Sequence, residues 1–277
     1  MKLWKICKYD IREGIGKRMM YLWLPVLLTL VFCISQSNKA MGYIQAGDFQ
    51  QQPTIMDFWI CLIEGKKPYR FDLYTLYQVP VIWVTYYTLL LVSVNAYPVN
   101  DLTVWGYQVI VRSKSRLQWW IGKCCWCALS VMLYFGISFA VIAIYALGNN
   151  IAFDLHPTAD MMAEFAKMSF MKISMTRLFL ITIVQPILLA VLLGMLQMVL
   201  SFLLEPMISF CIVFAVLVGS TYITSWLLPG NWGMPYRMDC ISKNGLDCNA
   251  SIIALTVGIV ACVILGYYIF KKEDINL

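Results

Sequence analysis

Charged residues are scarce in this sequence, where they make up 13% of the 277 residues, while 61% of the residues are hydrophobic. A soluble domain of this length carries roughly twice that charged fraction. Several apolar runs reach the roughly 20 residues that a helix needs to cross a bilayer. The composition therefore excludes an ordinary soluble protein and predicts an integral membrane protein. In such a protein the net charge of +6 reflects orientation in the membrane rather than nucleic-acid binding.

The sequence also lacks the residue patterns on which several functions depend. It contains no Gly-x-x-x-x-Gly-Lys-Ser/Thr phosphate loop, so it binds no nucleotide by that device. Apart from Lys123, the apolar runs contain no Asp, Glu, Lys, Arg or His, which argues against an ion-coupled carrier and an intramembrane protease. His156 is the one histidine and lies near Asp154 and Asp160, but a solvated loop histidine is favoured over a metal ligand. We therefore expect no metal site, no cofactor and no catalytic residue in this chain.

Ten cysteines are present, and most lie within apolar runs or at their start, where cysteine acts as a small hydrophobic residue. Cys124 and Cys127 form a CxxC, but no second pair or histidine cluster accompanies it, so packing is favoured over metal or redox chemistry. Cys240 and Cys248 share one loop on the predicted outer side, eight positions apart. A disulfide between them and two free thiols both remain open.

Six apolar runs qualify as spanning helices, and the fold class that they predict is an all-α integral membrane protein. The first run resembles a signal peptide but lacks a small-x-small cleavage site, so we expect a retained anchor. The chain then forms a single transmembrane domain over residues 1–277. The six predicted spans are residues 19–35, 77–96, 121–147, 178–204, 207–228 and 251–270.

The distribution of charge predicts the orientation of these spans. With a cytoplasmic amino terminus, the inner segments hold 12 of the 21 basic residues and 6 of the 15 acidic ones. The whole positive excess then lies inside, as the positive-inside rule requires. Both termini are therefore expected in the cytoplasm, and the outer loops are residues 36–76, 148–177 and 229–250.

The first 18 residues predict an amphipathic helix that lies on the membrane surface. One stripe of this helix is apolar, and basic residues occupy the opposite side. The stripe consists of Trp4, Cys7, Ile11 and Ile15, and the basic residues are Lys2, Lys5, Lys8 and Arg12.

A basic and aromatic stretch, YQVIVRSKSRLQWWIGK, separates the second and third spans at residues 107–123. Its pattern predicts a short surface helix, with Trp119 and Trp120 at the water–lipid boundary and a turn into the third span at Gly122. This helix is either a loop that fixes orientation or a docking site for a soluble partner. Because the chain has no phosphate loop, a transport motor would be another polypeptide. That motor would need a cytoplasmic binding site on this chain, which such a helix could provide. The candidate docking residues are Tyr107, Gln108, Arg112, Lys114 and Arg116.

With this layout the sequence resembles the membrane subunit of a type-2 ATP-binding-cassette (ABC) exporter over nearly its whole length, through its layout more than through invariant motifs. The elbow helix of that family corresponds to residues 1–18 and its coupling helix to residues 107–119. The break at residues 228–232 corresponds to a re-entrant outer segment before the sixth span. The chain is most similar to small bacterial permeases that export peptide antibiotics and other amphiphiles or protect the cell from them.

The resemblance implies a subunit of the bacterial plasma membrane that exports an amphiphilic or peptide-like substrate. It implies two copies of a separate ATPase that binds ATP and Mg²⁺, a second permease chain (identical or homologous), contact with membrane lipid, and no nucleic acid. A secondary carrier and a non-transporting sensor or structural subunit are the alternatives. A carrier predicts buried charge or an inverted repeat.

Polar residues follow one face of span two and the outer end of span five. In the ABC family these two spans line the central cavity, so the resemblance implies a substrate path along them. The alternative is that the small hydroxyls bond to their own helix or join neighbouring helices. The path residues are Gln78, Thr85, Thr88 and Asn95 in span two, and Thr221, Tyr222, Thr224 and Ser225 in span five.

Overall fold

The computed structural model describes residues 3–16, 22–49, 51–67, 77–95, 97–102, 106, 108, 115–149, 151–165, 173–242 and 245–272. These residues are mostly helical, and they form no β-strand beyond two isolated bridges. The helices are α1 (Leu3–Asp10, continued by a π-helical turn at Ile11–Ile15), α2 (Trp23–Ala46), α3 (Ile55–Ile63), α4 (Val81–Val94), α5 (Tyr97–Asp101), α6 (Arg116–Gly148), α7 (Ala159–Glu164), α8 (Met175–Leu203), α9 (Pro206–Tyr222) and α10 (Cys248–Lys272).

Among the described residues, five segments are long and apolar enough to cross a membrane, which confirms the expectation of an all-α membrane protein. They are α2, the stretch Val81–Asp101, α6, α8 and α10. The remaining predicted span corresponds to α9, an apolar helix of 17 residues. At 1.5 Å per residue α9 is about 26 Å long, so a sixth crossing stays a prediction.

Helix α2 continues for eleven residues beyond the predicted end of the first span and stops at Ala46. Hydropathy falls after Ser35, but the helix persists because Gln36, Ser37 and Ala40 are buried against the rest of the protein. Gly47 ends it in the left-handed conformation, with a φ of 81°, which glycine adopts without a steric penalty.

Helix α3 is a buried helix in a segment that the sequence had indicated to be a polar loop. All nine of its residues are buried, and its first turn carries a capping box in which Thr54 and Asp57 bond each other's backbone N–H groups. The Asp57 carboxylate also accepts bonds of 2.8 Å from the backbone N–H and the hydroxyl of Thr158. This carboxylate therefore fixes α3 to the residue before α7.

Helix α8 lies at the centre of the bundle, where it packs against α6, α9 and α10. At one end of the bundle, which we call the terminal end, α1 packs on α6 and Arg116 donates to the carbonyl of Lys271, 2.9 Å away. The opposite end, the loop end, gathers parts of all three predicted outer loops. There the Ile55 N–H donates to Ala152 and the Tyr236 N–H to Glu64.

The predicted position of two tryptophans at the water–lipid boundary is wrong. Helix α6 begins at Arg116, capped by Ser115, and runs without a break through Gly122. Trp119 and Trp120 are therefore inside the bundle and fully buried. Trp119 stacks on Phe270 at 4.8 Å, and the Trp120 indole donates to the carbonyl of Val263.

Candidate functional site

A buried ion-pair cluster at the terminal end contains Lys123, Asp10 and Asp101. The Lys123 ammonium pairs closely with Oδ1 of Asp10 and lies 2.7 Å from Oδ2 of Asp101. Each of these side chains is at most 4% exposed. Because the three residues come from α1, α5 and α6, the cluster connects three separate elements.

Aromatic residues enclose this cluster and share its hydrogen bonds. The hydroxyl of Tyr97 donates to Asp10 at 3.0 Å, and that of Tyr9 donates to Asp101 at 3.1 Å. The Lys123 ammonium lies 4.5 Å from the centre of the Tyr97 ring and 5.0 Å from the Trp119 ring, within range for cation–π attraction. The cluster is thus supported by neutral donors and ring faces as well as by opposite charge.

Glycine makes the close approach of α1 to α6 possible. A Cβ on Gly122 would lie 2.7 Å from the Ile6 side chain and 3.1 Å from Asp10. A Cβ on Gly14 would lie 2.3 Å from the Trp126 indole. The α1 segment therefore depends on these two glycines for its position.

The electrostatics of the cluster are unbalanced, since it holds two carboxyl groups and one ammonium. Burial raises the pKa of Asp10, and the adjacent Lys123 opposes that rise. Burial and the charge of Asp101 together raise the pKa of the Tyr9 hydroxyl, which keeps it protonated as a donor. Lys123 therefore opposes the effect of burial on the Asp10 carboxyl.

The predicted docking segment lies mostly outside the described residues, which include Gln108 and Arg116 but not Tyr107, Arg112 or Lys114. Gln108 is exposed, and Arg116 forms the first turn of α6. Gly106, immediately before the segment, is buried against Asp101. A Cβ at this position would lie 2.7 Å from the Asp101 carboxylate. The described residues on both sides of the segment thus adjoin the ion-pair cluster.

The amino-terminal segment is helical, as the sequence predicts, but it has a third face that the sequence analysis missed. Trp4 is 75% exposed, and the basic residues Lys5, Lys8 and Arg12 are exposed as well. Ile6, Asp10 and Gly14 form the face that packs on α6. The membrane-surface elbow itself stays a prediction.

At the loop end, the Arg237 guanidinium satisfies the carboxyl terminus of α9. It donates to the carbonyls of Ser220 at 2.5 Å, Thr221 at 2.6 Å and Lys66 at 3.1 Å. The last carbonyls of a helix have no partner within the helix, so a buried helix end needs such donors. Burial lowers the pKa of Arg237 to about 10, which leaves it charged at neutral pH.

The structure brings together only part of the predicted substrate path. Spans two and five do meet, because the Tyr77 ring packs on Tyr222 at 4.4 Å and its hydroxyl donates to the carbonyl of Thr221. The hydroxyls of Thr88 and Thr221 donate to carbonyls of their own helices, as the alternative to a substrate path predicts.

The remaining path residues are distributed between the two ends of the bundle. Thr85 and Asn95 are half-buried on α4 and at its end, Thr224 is exposed, and the Ser225 hydroxyl accepts from the Leu227 N–H. Gln78 lines a cavity at the loop end. The path as a whole stays a prediction, because the resemblance locates it in a cavity shared by two chains.

Glu64 follows α3 at the loop end and lines the same cavity as Gln78. Its Oε2 is enclosed and has no hydrogen-bond partner among the described residues. Burial raises the pKa of this carboxyl to about 8, although the charge of Lys66 lowers it. Glu64 is therefore mostly protonated at neutral pH.

We expect this carboxyl to make the stability of the protein depend on pH. The folded pKa lies above the ordinary value of 4.5, so stability is greatest below that value and is lost as the pH rises through about 8. The thermal midpoint in detergent should fall between pH 5 and pH 9 (roughly the span of this titration). Glu64→Gln should flatten that part of the profile, and an unchanged slope in the variant would contradict the assignment. Glu164→Gln, on α7, is the matched control.

Cys240 and Cys248 are both free thiols in the structure and lie in the cluster around Ile181 and Met238. Burial raises the pKa of Cys240 to about 11. Their disulfide stays a prediction. His156 and Asp154 form an exposed pair with 3.0 Å between their side chains, and no three ligand-type residues converge within the part of the chain that the structure describes.

No curated protein and no solved structure matches the chain. A family described as protein of unknown function (DUF2705) matches residues 29–276, a range that contains Asp101 and Lys123 but begins after Asp10. The chain therefore belongs to the DUF2705 family.

Proposed function

We propose that this chain is the permease subunit of an ATP-driven exporter whose ATPase is a separate polypeptide. In this proposal it crosses the bacterial plasma membrane six times with both termini in the cytoplasm. Two permease chains and two ATPase subunits form the exporter, and the cargo is an amphiphilic or peptide-like molecule. ATP and Mg²⁺ bind to the ATPase, and no nucleic acid takes part.

The observation that supports this proposal best is the position of the ion-pair cluster around the predicted docking segment. Asp101 precedes the segment, Lys123 follows it by about one helical turn, and Asp10 joins both to α1. A force that a soluble motor applied to the segment would therefore reach α6 and the amino-terminal segment together. A loop that served only to set orientation would need no such connection.

Removing two cations from the docking segment tests the proposal. We expect Arg112→Ala combined with Arg116→Ala to insert normally, because many other basic residues maintain the inside charge bias. Binding of the ATPase should be lost, since truncating one partner of a charged interface contact costs about 2–5 kcal/mol. Copurification of an ATP-hydrolysing subunit with the tagged chain from its native cells measures binding, and cysteine labelling measures insertion.

The matched control is Lys39→Ala combined with Arg177→Ala, two exposed cations outside the docking segment. This pair should leave both insertion and ATPase binding unchanged. Normal ATPase binding by the docking variant would reduce residues 107–119 to a loop that only sets orientation. Absence of any ATPase from preparations of the unaltered chain would remove the proposal itself.

The ion-pair cluster also favours one alternative, a secondary carrier, because carriers use buried ionisable groups for coupling. That alternative requires transport by the chain alone in vesicles with an imposed proton gradient and no ATPase. It also requires Asp10→Asn to abolish transport while leaving the fold intact. A sensor or structural subunit would show neither transport nor ATPase binding.

A further inference from the structure

A cavity of about 410 Å³ lies at the loop end, between α2, the segment after α3 and the start of α4. Its volume falls within the roughly 300–1,000 Å³ typical of small-molecule sites. Tyr236 and Phe165 contribute to its walls from two other predicted outer loops. Segments that are distant in sequence thus form one concave surface, large enough for a small molecule or a lipid headgroup.

Three residues that line this cavity carry enclosed polar atoms with no hydrogen-bond partner among the described residues. The Oε1 of Gln36 is an acceptor, and the Gln36 side chain belongs to a residue that is only 8% exposed. The indole N–H of Trp83 is a donor, and Trp83 is 2% exposed. The third atom is Oε2 of Glu64. Buried polar atoms without partners cost free energy, so these three require partners from whatever fills the cavity.

The three groups favour a ligand that forms hydrogen bonds, whether or not it is charged. The amide of Gln36 and the indole of Trp83 are neutral, and the Glu64 carboxyl is mostly protonated at neutral pH because burial raises its pKa to about 8. A protonated carboxyl both donates and accepts. A hydroxyl group does the same, so a headgroup with several hydroxyls can satisfy a donor, an acceptor and a carboxyl together.

An apolar strip borders the cavity where α4, part of a candidate membrane span, begins. Val81 is 66% exposed and Ile82 is 38% exposed, whereas Trp83 is buried beside them. Exposed apolar side chains that adjoin a binding groove mark contact with a membrane or an apolar ligand. The cavity therefore combines a hydrogen-bonding interior with a border that suits acyl chains.

We propose that this cavity binds a lipid whose neutral headgroup is rich in hydroxyl groups, as in a glycosylated diacylglycerol. The hydroxyls bond the amide oxygen of Gln36, the indole N–H of Trp83 and the carboxyl of Glu64, and the acyl chains lie along Val81 and Ile82. The further step, that this lipid is the exported cargo, rests on the proposed function. Binding itself does not require that function.

Native mass spectrometry of the full chain tests the proposal, with monoglucosyl diacylglycerol as the probe and no ATPase present. The detergent is an amine oxide, because it has no hydroxyl group that could occupy the site. We expect the probe to bind about tenfold or more tightly than phosphatidylcholine with the same acyl chains, whose headgroup has no hydrogen-bond donor for Gln36. Equal binding of the two lipids would mean that water alone satisfies the enclosed atoms, and would overturn the proposal.

Two further ligands separate the possible sources of binding. Glucose has the hydroxyls without acyl chains, and it should not displace the lipid at equal concentration. Phosphatidylglycerol tests the contribution of charge, since Lys66 and Lys67 also line the cavity, and it should bind no more tightly than the glucosyl lipid. Displacement by glucose, or binding of phosphatidylglycerol about tenfold tighter than that of the probe, would overturn the proposal.

Gln36→Met tests the amide oxygen directly, since methionine is apolar and of similar length. We expect it to weaken binding of the glucosyl lipid about fivefold or more, equivalent to about 1 kcal/mol. The thermal midpoint without added lipid should be unchanged or higher, because a buried atom without a partner is removed. The matched control is Gln197→Met, at another buried glutamine whose Oε1 has no described partner but which does not line the cavity. It should bind the probe within about twofold of the unaltered chain.

Trp83→Phe provides a second variant, which removes the indole N–H and keeps an aromatic ring. It should also weaken binding about fivefold or more. A lower midpoint for Gln36→Met would show that its amide has a partner in the protein, and would contradict the proposal. If both variants bind the glucosyl lipid as the unaltered chain does, the cavity is not the lipid site. Because the assay contains no ATPase, that failure would leave the exporter proposal standing.

Discussion

Replacing Lys123 with methionine should destabilise the protein by about 3–5 kcal/mol, which is typical when one partner of a buried ion pair is removed. The substitution leaves Asp10 and Asp101 buried together, with only the hydroxyls of Tyr97 and Tyr9 as described hydrogen-bond donors to them. Both carboxyls would then have to protonate, or α1 would have to detach from α6. The yield of monodisperse protein and its thermal midpoint in detergent measure the effect.

Two further variants separate the loss of the ion pairs from the loss of a lysine. Lys271→Met removes an exposed lysine at the same end of the bundle and should change the midpoint little. Combining Lys123→Met with Asp10→Asn and Asp101→Asn removes all three charges and should recover most of the stability, because buried ion pairs are often replaceable by neutral groups. If Lys123→Met alone is as stable as the unaltered chain, water reaches the cluster and the carboxyl groups are not desolvated.

The second large effect is expected at Arg237, where methionine would leave the end of α9 without its donors. The carbonyls of Ser220 and Lys66 would lose their described partner, and that of Thr221 would keep only Tyr77. Each buried group left without a bond costs about 1–3 kcal/mol, so we expect a loss of about 3 kcal/mol or more. Thermal unfolding in detergent measures this change.

Arg237→Lys distinguishes geometry from charge at this site. An ammonium is a compact point charge, whereas the planar guanidinium reaches carbonyls on both sides at once. The lysine variant should therefore be intermediate in stability. Arg177→Met removes an exposed arginine and should have little effect. Equal stability of Arg237→Met and Arg177→Met would show that the end of α9 has other donors.

The long helices could be predicted from the sequence because each is encoded locally, by an apolar run of sufficient length. The same rule failed for α3, whose nine apolar residues are too few to cross a bilayer and lie in a segment with polar flanks. It also misplaced Trp119 and Trp120, since an aromatic pair beside basic residues is typical of an interfacial anchor. Only the contacts with Phe270 and Val263 show that both rings lie inside.

The candidate sites were harder to predict because their residues are distant in sequence. Lys123 stood out as the one charge in an apolar run, but its partner Asp10 lies 113 residues away, among exposed lysines. Arg237 reaches back 171 residues to the carbonyl of Lys66. The cavity likewise needs Gln36, Glu64 and Tyr236 at one point, and no local pattern in the sequence specifies that meeting.

The distance of 113 residues between Asp10 and Lys123 has a consequence for biosynthesis. A ribosome that adds about 5–20 residues per second needs roughly 6–23 s to make the lysine after the aspartate. Throughout that interval the docking surface on α6 does not exist, and Asp10 has to remain in water, where its charge is solvated. Helix α1 is therefore made before α6 and can take its final position only after α6 has been made. Packing of α1 on the bundle therefore requires that α6 has already been inserted correctly.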